Sequence, residues 1–183
     1  MPTHTMPTSP ISLATLNTLG RDAFTSALAG LFEGPPEIVA AAWERRPFAS
    51  REELHAALCD VMEALPEARK VALIRAHPDL VGRAALAGTL SRASTAEQAA
   101  AGLDSLTPDE IASFQRLNAQ YQTRFGFPFV ICARENKKAS ILAGFAARME
   151  HTREQEIAAA LAEVAKICWL RLCDTVTEAE GQP

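Results

Sequence analysis

The chain has 183 residues, of which 48% are hydrophobic, 22% charged and 6% aromatic, which is enough for a substantial core and too apolar for a disordered segment. A formal net charge of −4 gives no whole-chain electrostatic reason to bind nucleic acid. No apolar run is long enough to span a membrane and no secretory signal is visible, so the expected compartment is the cytoplasm.

Residues 1–10, MPTHTMPTSP, read as a flexible leader, and residues 179–183 as a flexible tail without a peroxisomal address. Between them, residues 11–178 carry one coherent helical pattern with no internal repeat and no dividing linker. Leu16, Leu19, Ala23, Ala27 and Leu31 recur at helical spacing and predict a helix over residues 13–32, stopped by Gly34-Pro35-Pro36. A short second helix is expected to turn Ile38, Ala41, Ala42 and Trp43 inward before Arg46-Pro47-Phe48 breaks it. Ser50-Arg51-Glu52-Glu53 is a capping box and opens a third helix with an apolar stripe of Leu54, Leu58, Val61 and Leu65. A fourth, over residues 67–76, runs into His77-Pro78. Proline disfavours helical geometry at the residue before it, which places His77 at a helix end.

Residues 80–90 are expected as a short apolar helix or loop, and Ser94-Thr95-Ala96-Glu97 as a capping box for a helix over residues 95–103. Thr107-Pro108-Asp109-Glu110 is a strong helix start, and that helix runs to about residue 124 with Ile111, Phe114, Leu117, Asn118 and Tyr121 on one face. Gly126 ends it. Residues 127–132, FPFVIC, favour an extended conformation through their proline, aromatics and β-branched pair. Asn136 is expected to start the next helix, and Thr152-Arg153-Glu154-Gln155 caps the last, which reaches Cys173 or slightly beyond. The expected fold is an all-α, single-domain compact bundle of about eight or nine helices.

The four cysteines, Cys59, Cys132, Cys168 and Cys173, form no Cys-x-x-Cys pair and no cysteine–histidine set with zinc spacing. Reduced thiols and no metal are the expectation. The residues able to carry chemistry gather between positions 73 and 103. His77 has a near-neutral reference pKa of about 6.5, suited to giving and taking a proton. Ser94 and Glu97 are explained by a helix cap, yet a capped helix start also presents amides to an anionic or carbonyl oxygen. Gln98 offers donor and acceptor together, which suits a urea-like ligand. Arg171 lies among hydrophobic neighbours on the last helix, either salt-bridged or holding a carboxylate. The extended stretch through Phe129, Val130 and Ile131 leaves backbone groups that a ligand can use. His4, His55 and His151 read as solvated.

Five short motifs occur in order: Arg46-Pro47-Phe48; His77-Pro78-Asp79-Leu80; Ser94-x-x-Glu97-Gln98 with Ala101-Gly102-Leu103; Leu117-Asn118-x-x-Tyr121; and Phe125-Gly126-Phe127-Pro128-Phe129. Together they resemble the family of 2-oxo-4-hydroxy-4-carboxy-5-ureidoimidazoline (OHCU) decarboxylases of urate degradation, over nearly the whole chain. The resemblance implies an all-α fold, a homodimer, no metal or organic cofactor, and a carboxy-lyase converting OHCU to (S)-allantoin and carbon dioxide. It implies His77 as the catalytic histidine, Glu97 beside it, and Pro78, Ser94, Gln98, Phe129, Val130, Ile131 and Arg171 as substrate contacts. The inventory suits such chemistry: the ring C=N bond of that substrate is itself an electron sink, so the protein need only orient, stabilise charge and manage a proton. The competing expectation is a non-catalytic helical module that binds a ureide or a partner protein. A helical DNA-binding regulator fits the charge poorly.

Overall fold

The structure, a computed structural model, describes residues 9–178. Residues 1–8 of the expected leader and the expected tail 179–183 lie outside the described residues. In chain order the helices are α1 (Leu13–Thr18), α2 (Arg21–Ala27), α3 (Glu37–Ala42), α4 (Arg51–Glu63), α5 (Glu67–Arg75), α6 (Arg83–Leu86), α7 (Arg92–Ala100), α8 (Pro108–Phe125), α9 (Lys138–Arg148) and α10 (Arg153–Thr175). Two 3-10 turns, Trp43–Arg45 and Ala133–Glu135, complete them. The fold is all-α, as expected. The exception that the sequence did not announce is a parallel pair of two-residue strands, β1 (Ile11–Ser12) beside β2 (Val176–Thr177), with Ile11 opposite Val176.

Two compact units divide the described residues: 9–64 with 168–178, and 65–167. In the first, the helix expected over residues 13–32 is broken in two. Leu19 and Gly20 are extended, with ψ of 144° and 164°, so α1 stops and α2 restarts from Gly20. The carbonyls freed at the end of α1 need partners. Arg46 supplies them, donating to Asn17 O at 2.8 Å and Leu19 O at 3.0 Å, and the Trp43 indole also donates to Leu19 O. Asn17 and Phe48 exchange a reciprocal pair of hydrogen bonds at 2.9 Å. The Arg46-Pro47-Phe48 motif therefore fastens α1 to the α3–α4 connection.

Ser50 caps α4 as expected, its Oγ accepting from Glu53 N, while Glu53 reaches back to the amide of Ala49. Leu16, Phe24, Leu28, Leu31, Leu54, Leu58 and Met62 fill this core together with Cys168 and Leu172. Two inward assignments change. Val39 is buried and Ala41 exposed, and Met62 is buried while Val61 is only partly so.

The second unit is built on α8. Its Thr107–Glu110 capping box is complete, and Gly126 ends it in the left-handed conformation at φ 81°, where glycine carries no Cβ penalty. Phe114, Tyr121, Phe125, Phe127, Phe129 and Phe145 form an aromatic core, with the rings of Phe129 and Phe145 stacked at 3.8 Å. Residues 127–132 are neither helix nor strand. α9 begins at Lys138 rather than Asn136, since the 3-10 turn at Ala133–Glu135 ends on Asn136, whose backbone is extended, and Lys137 becomes the N-cap. The Thr152–Gln155 cap of α10 forms through both of its hydrogen bonds. All four cysteines are free thiols. Among the described residues no helix is long and apolar enough to cross a membrane.

Candidate active site

His77 follows the last turn of α5, and its ring folds back rather than standing in solvent. It is 8% exposed, and Nδ1 lies 2.9 Å from the Leu73 carbonyl. A carbonyl only accepts, so Nδ1 carries the proton and Nε2 is the basic nitrogen of the neutral ring. Pro78 starts the loop that leads to α6. Within it Val81 adopts φ 52°, a left-handed conformation that a β-branched side chain disfavours. Something must hold that residue, and Gln98 does. Its Oε1 accepts from Val81 N at 3.1 Å and its Nε2 donates to Asp79 O at 3.4 Å. Asn118 of α8 adds a bond to Leu80 O at 2.8 Å, and Gln122 donates to both carboxylate oxygens of Asp79. The loop after His77 is thus braced by α7 and α8.

The cap of α7 differs from the sequence expectation. Ser91, not Ser94, is the N-cap, and its Oγ accepts from Ser94 N at 3.1 Å. Ser94 sits one turn later, inside the helix, because an earlier serine with extended geometry already satisfies the first orphan amides. The Ser94 amide is therefore occupied. Its position instead puts Ser94 and Gln98 one turn apart on the buried face of α7, with Glu97 half-buried beside them. The charge of Glu97 acts on Cys132, helping to raise its thiol pKa behind the larger effect of burial. α7 also packs on the 3-10 turn at Ala133–Glu135. One helix consequently joins the His77 loop, through Gln98, to the turn that follows the 127–132 segment.

His77 and Pro78 line a depression of about 420 Å³ with Arg75, Asp79, Arg83, Gln122 and Pro128 among its walls. Two guanidinium groups here suit an anionic ligand. A larger depression of about 830 Å³ shares Asp79, Arg83 and Gln122 but has no imidazole in its walls. Arg75 and Gln122 were missed in the sequence. Arg75 is two residues from His77, and Gln122 is one helical turn past Asn118, spacings that signal little before the loop's path is known.

Phe129 and Val130 are buried and Ile131 partly so. The Phe129 side chain belongs to the aromatic core, so any ligand contact from this stretch falls to its backbone. Arg171 lies in the other unit, 6% exposed, where it donates to Gly30 O and pairs with Glu33 at 3.3 Å. His151, expected to be solvated, places Nδ1 2.9 Å from Glu156 of α10. Among the described residues no group of three His, Cys, Asp or Glu side chains is placed to hold a metal ion.

Fold and site together define an all-α protein with a buried, anchored imidazole and a braced loop beside a depression of small-molecule size. The sequence profile of the OHCU decarboxylase family matches residues 17–173. The chain is 41% identical to the 2-oxo-4-hydroxy-4-carboxy-5-ureidoimidazoline decarboxylase of Xenopus laevis over 164 residues, 90% of this chain and 94% of that one. It is 43% identical to the protein of the same name from Amia calva, over 88% of this chain and 92% of that one. A crystal structure of (S)-allantoin synthase superposes with a TM-score of 0.72 at 27% identity, covering 92% of this chain and 54% of that one. This chain belongs to the OHCU decarboxylase family.

Proposed function

We propose that this chain decarboxylates OHCU to (S)-allantoin and carbon dioxide in urate degradation, with His77 as the proton-transfer residue and no cofactor. The observation that carries the reading is the anchored ring of His77. The Leu73 carbonyl fixes its tautomer and direction, and the ring stands in the wall of a depression that also holds Arg75 and Arg83.

As carbon dioxide leaves, the electron pair of the breaking C–C bond forms a double bond to the neighbouring ring carbon, and the C=N pair moves onto the ring nitrogen, which takes a proton. The hydroxyl proton is then lost as the ring carbonyl forms and the neighbouring carbon takes a proton on one face; His77 Nε2 accepts the first of these protons or delivers the second. Delivery to a single face gives one enantiomer. Glu97 orients the imidazole or a substrate N–H. Pro78, Ser94 and the backbone of Phe129, Val130 and Ile131 contact the ureido, carbonyl and carboxylate groups. Gln98 has a second amide hydrogen for the ligand beyond the one that it gives to Asp79. The protein works as a homodimer in the cytoplasm; sedimentation velocity of the purified chain checks the dimer.

The deciding substitution is His77→Asn. Asparagine can keep the donor to Leu73 O while removing Nε2, so it separates chemistry from folding. With OHCU freshly generated from urate, allantoin formation falls by about 10²- to 10⁴-fold, the usual weight of general acid–base catalysis. The product formed at the residual rate is racemic by circular dichroism. A folded His77→Asn protein that still yields (S)-allantoin at the native rate removes His77 from the reaction. A native chain that binds allantoin without turning OHCU over makes it a ureide-binding module instead.

A further inference from the structure

Among the described residues no strand pairs with 127–132, yet their peptide groups still need partners. Side chains from α9 and α10 provide these at two points. Arg148 Nη1 donates to Val130 O at 2.6 Å, and Glu163 Oε2 accepts from Cys132 N at 2.8 Å. The Arg148 guanidinium also lies over the Phe129 ring, 4.3 Å from its centroid. The Val130 carbonyl and the Cys132 amide are thereby turned toward α9 and α10.

Arg148 itself cannot swing. Its Nε donates to Glu156 Oε1 at 2.5 Å, and Glu156 is fully buried, accepting also from the Tyr121 hydroxyl and facing His151 Nδ1. One edge of the planar fork is therefore held by a carboxylate while another holds the peptide carbonyl. A buried ion pair of this kind is a weak source of stability compared with well-packed apolar side chains of equal volume. What it supplies here is geometry.

We propose that Arg148 and Glu163 form a two-point clamp that sets the backbone of residues 129–132, and that both are positioning residues for the decarboxylation. The inference rests on the proposed function, in which that backbone meets the substrate. Lysine at position 148 is a point charge without the planar fork and cannot hold Val130 O and Glu156 together. Glutamine at position 163 keeps an acceptor for Cys132 N, whereas alanine does not.

The experiment measures steady-state OHCU decarboxylation, helix content, and amide hydrogen exchange across residues 129–133 in the native chain and in Arg148→Lys, Glu163→Ala and Glu163→Gln. A misplacement of about 1 Å costs on the order of 100-fold in such reactions. Accordingly, kcat/KM falls about 10- to 100-fold in Arg148→Lys and Glu163→Ala at native helix content, with faster exchange of the segment. Glu163→Gln recovers most of the loss. Full-rate turnover by folded Arg148→Lys and Glu163→Ala overturns the clamp, as does a Glu163→Gln defect equal to that of Glu163→Ala. Should Arg148→Lys fail to fold, the two Glu163 variants decide alone. A native chain without turnover counts against the proposed function, and the exchange data then judge the clamp separately: unchanged exchange in Glu163→Ala overturns it.

Discussion

Tyr121→Phe removes one hydroxyl from the most buried polar cluster among the described residues, and its cost can be worked from the contacts. Tyr121 and Glu156 are both fully buried, and the hydroxyl donates to Oε1 of the carboxylate. A hydrogen bond to a charged group contributes about 1.5–3 kcal/mol. The larger penalty for stranding a buried charge, about 3–5 kcal/mol, does not apply, because Arg148 still faces Glu156 at 2.5 Å. Phenylalanine keeps the ring contacts with Phe125, Phe127 and Phe129. The net is about 2 kcal/mol, roughly a 30-fold shift in the folding equilibrium. For a chain of this size that lowers Tm by about 4–8 °C. Urea unfolding at pH 7.5 measures it, and the Glu156→Gln background tests the pairing, with a coupling of at least about 1 kcal/mol expected. The pH dependence gives a second reading. Burial, then Glu156, push the phenol above its ordinary value of 10.0. Its contribution is therefore complete below pH 10 and is lost as pH rises further, by about 1.4 kcal/mol per unit. Tyr121→Phe abolishes that part of the alkaline slope. A variant within 0.5 kcal/mol of native, or an equal cost in the Glu156→Gln background, would refute the assignment of the hydroxyl to Glu156.

Gln98→Ala leaves the Val81 N–H without its acceptor beneath a strained residue, which costs about 1–3 kcal/mol. It also lowers kcat/KM for OHCU through a looser His77 loop; an unchanged Tm together with unchanged kinetics would contradict the brace. Ser91→Ala costs about 1 kcal/mol in urea unfolding and Ser91→Asp restores it, whereas an indifferent Ser91→Ala returns the cap to Ser94. Burial pushes the Cys168 and Cys132 thiols up. Both should resist an aromatic disulfide reagent at pH 8 until the chain is unfolded. Raised thiols stabilise the fold fully below their ordinary value of 9.0 and progressively less as pH climbs past it, so fast labelling of Cys168 in folded protein contradicts the burial.

Local rules in the sequence determined the element boundaries wherever a cap or a breaker stands alone. Ser50, Thr107 and Thr152 each start a helix where the expectation placed it, and Gly126 ends one, because such signals act within one turn. Where two signals compete the sequence misleads. Gly20 cuts a helix whose apolar spacing continues through it, and Ser91 caps α7 ahead of the better-looking Ser94. The motifs located the His77 loop and the 127–132 segment, and with them the family. Only the tertiary structure decided what the polar residues in those motifs, and those packed against them, do. Arg46 and Asn17 fasten a helix end, Gln98 and Asn118 brace a loop, and Arg148, Glu156 and Glu163 fix a strandless peptide. Their partners lie from 17 to 31 positions away in these bonds, 38 for Asn118. Spacing along a chain encodes which face of a helix a side chain takes, while the group that it meets there is set by another element that the spacing does not describe.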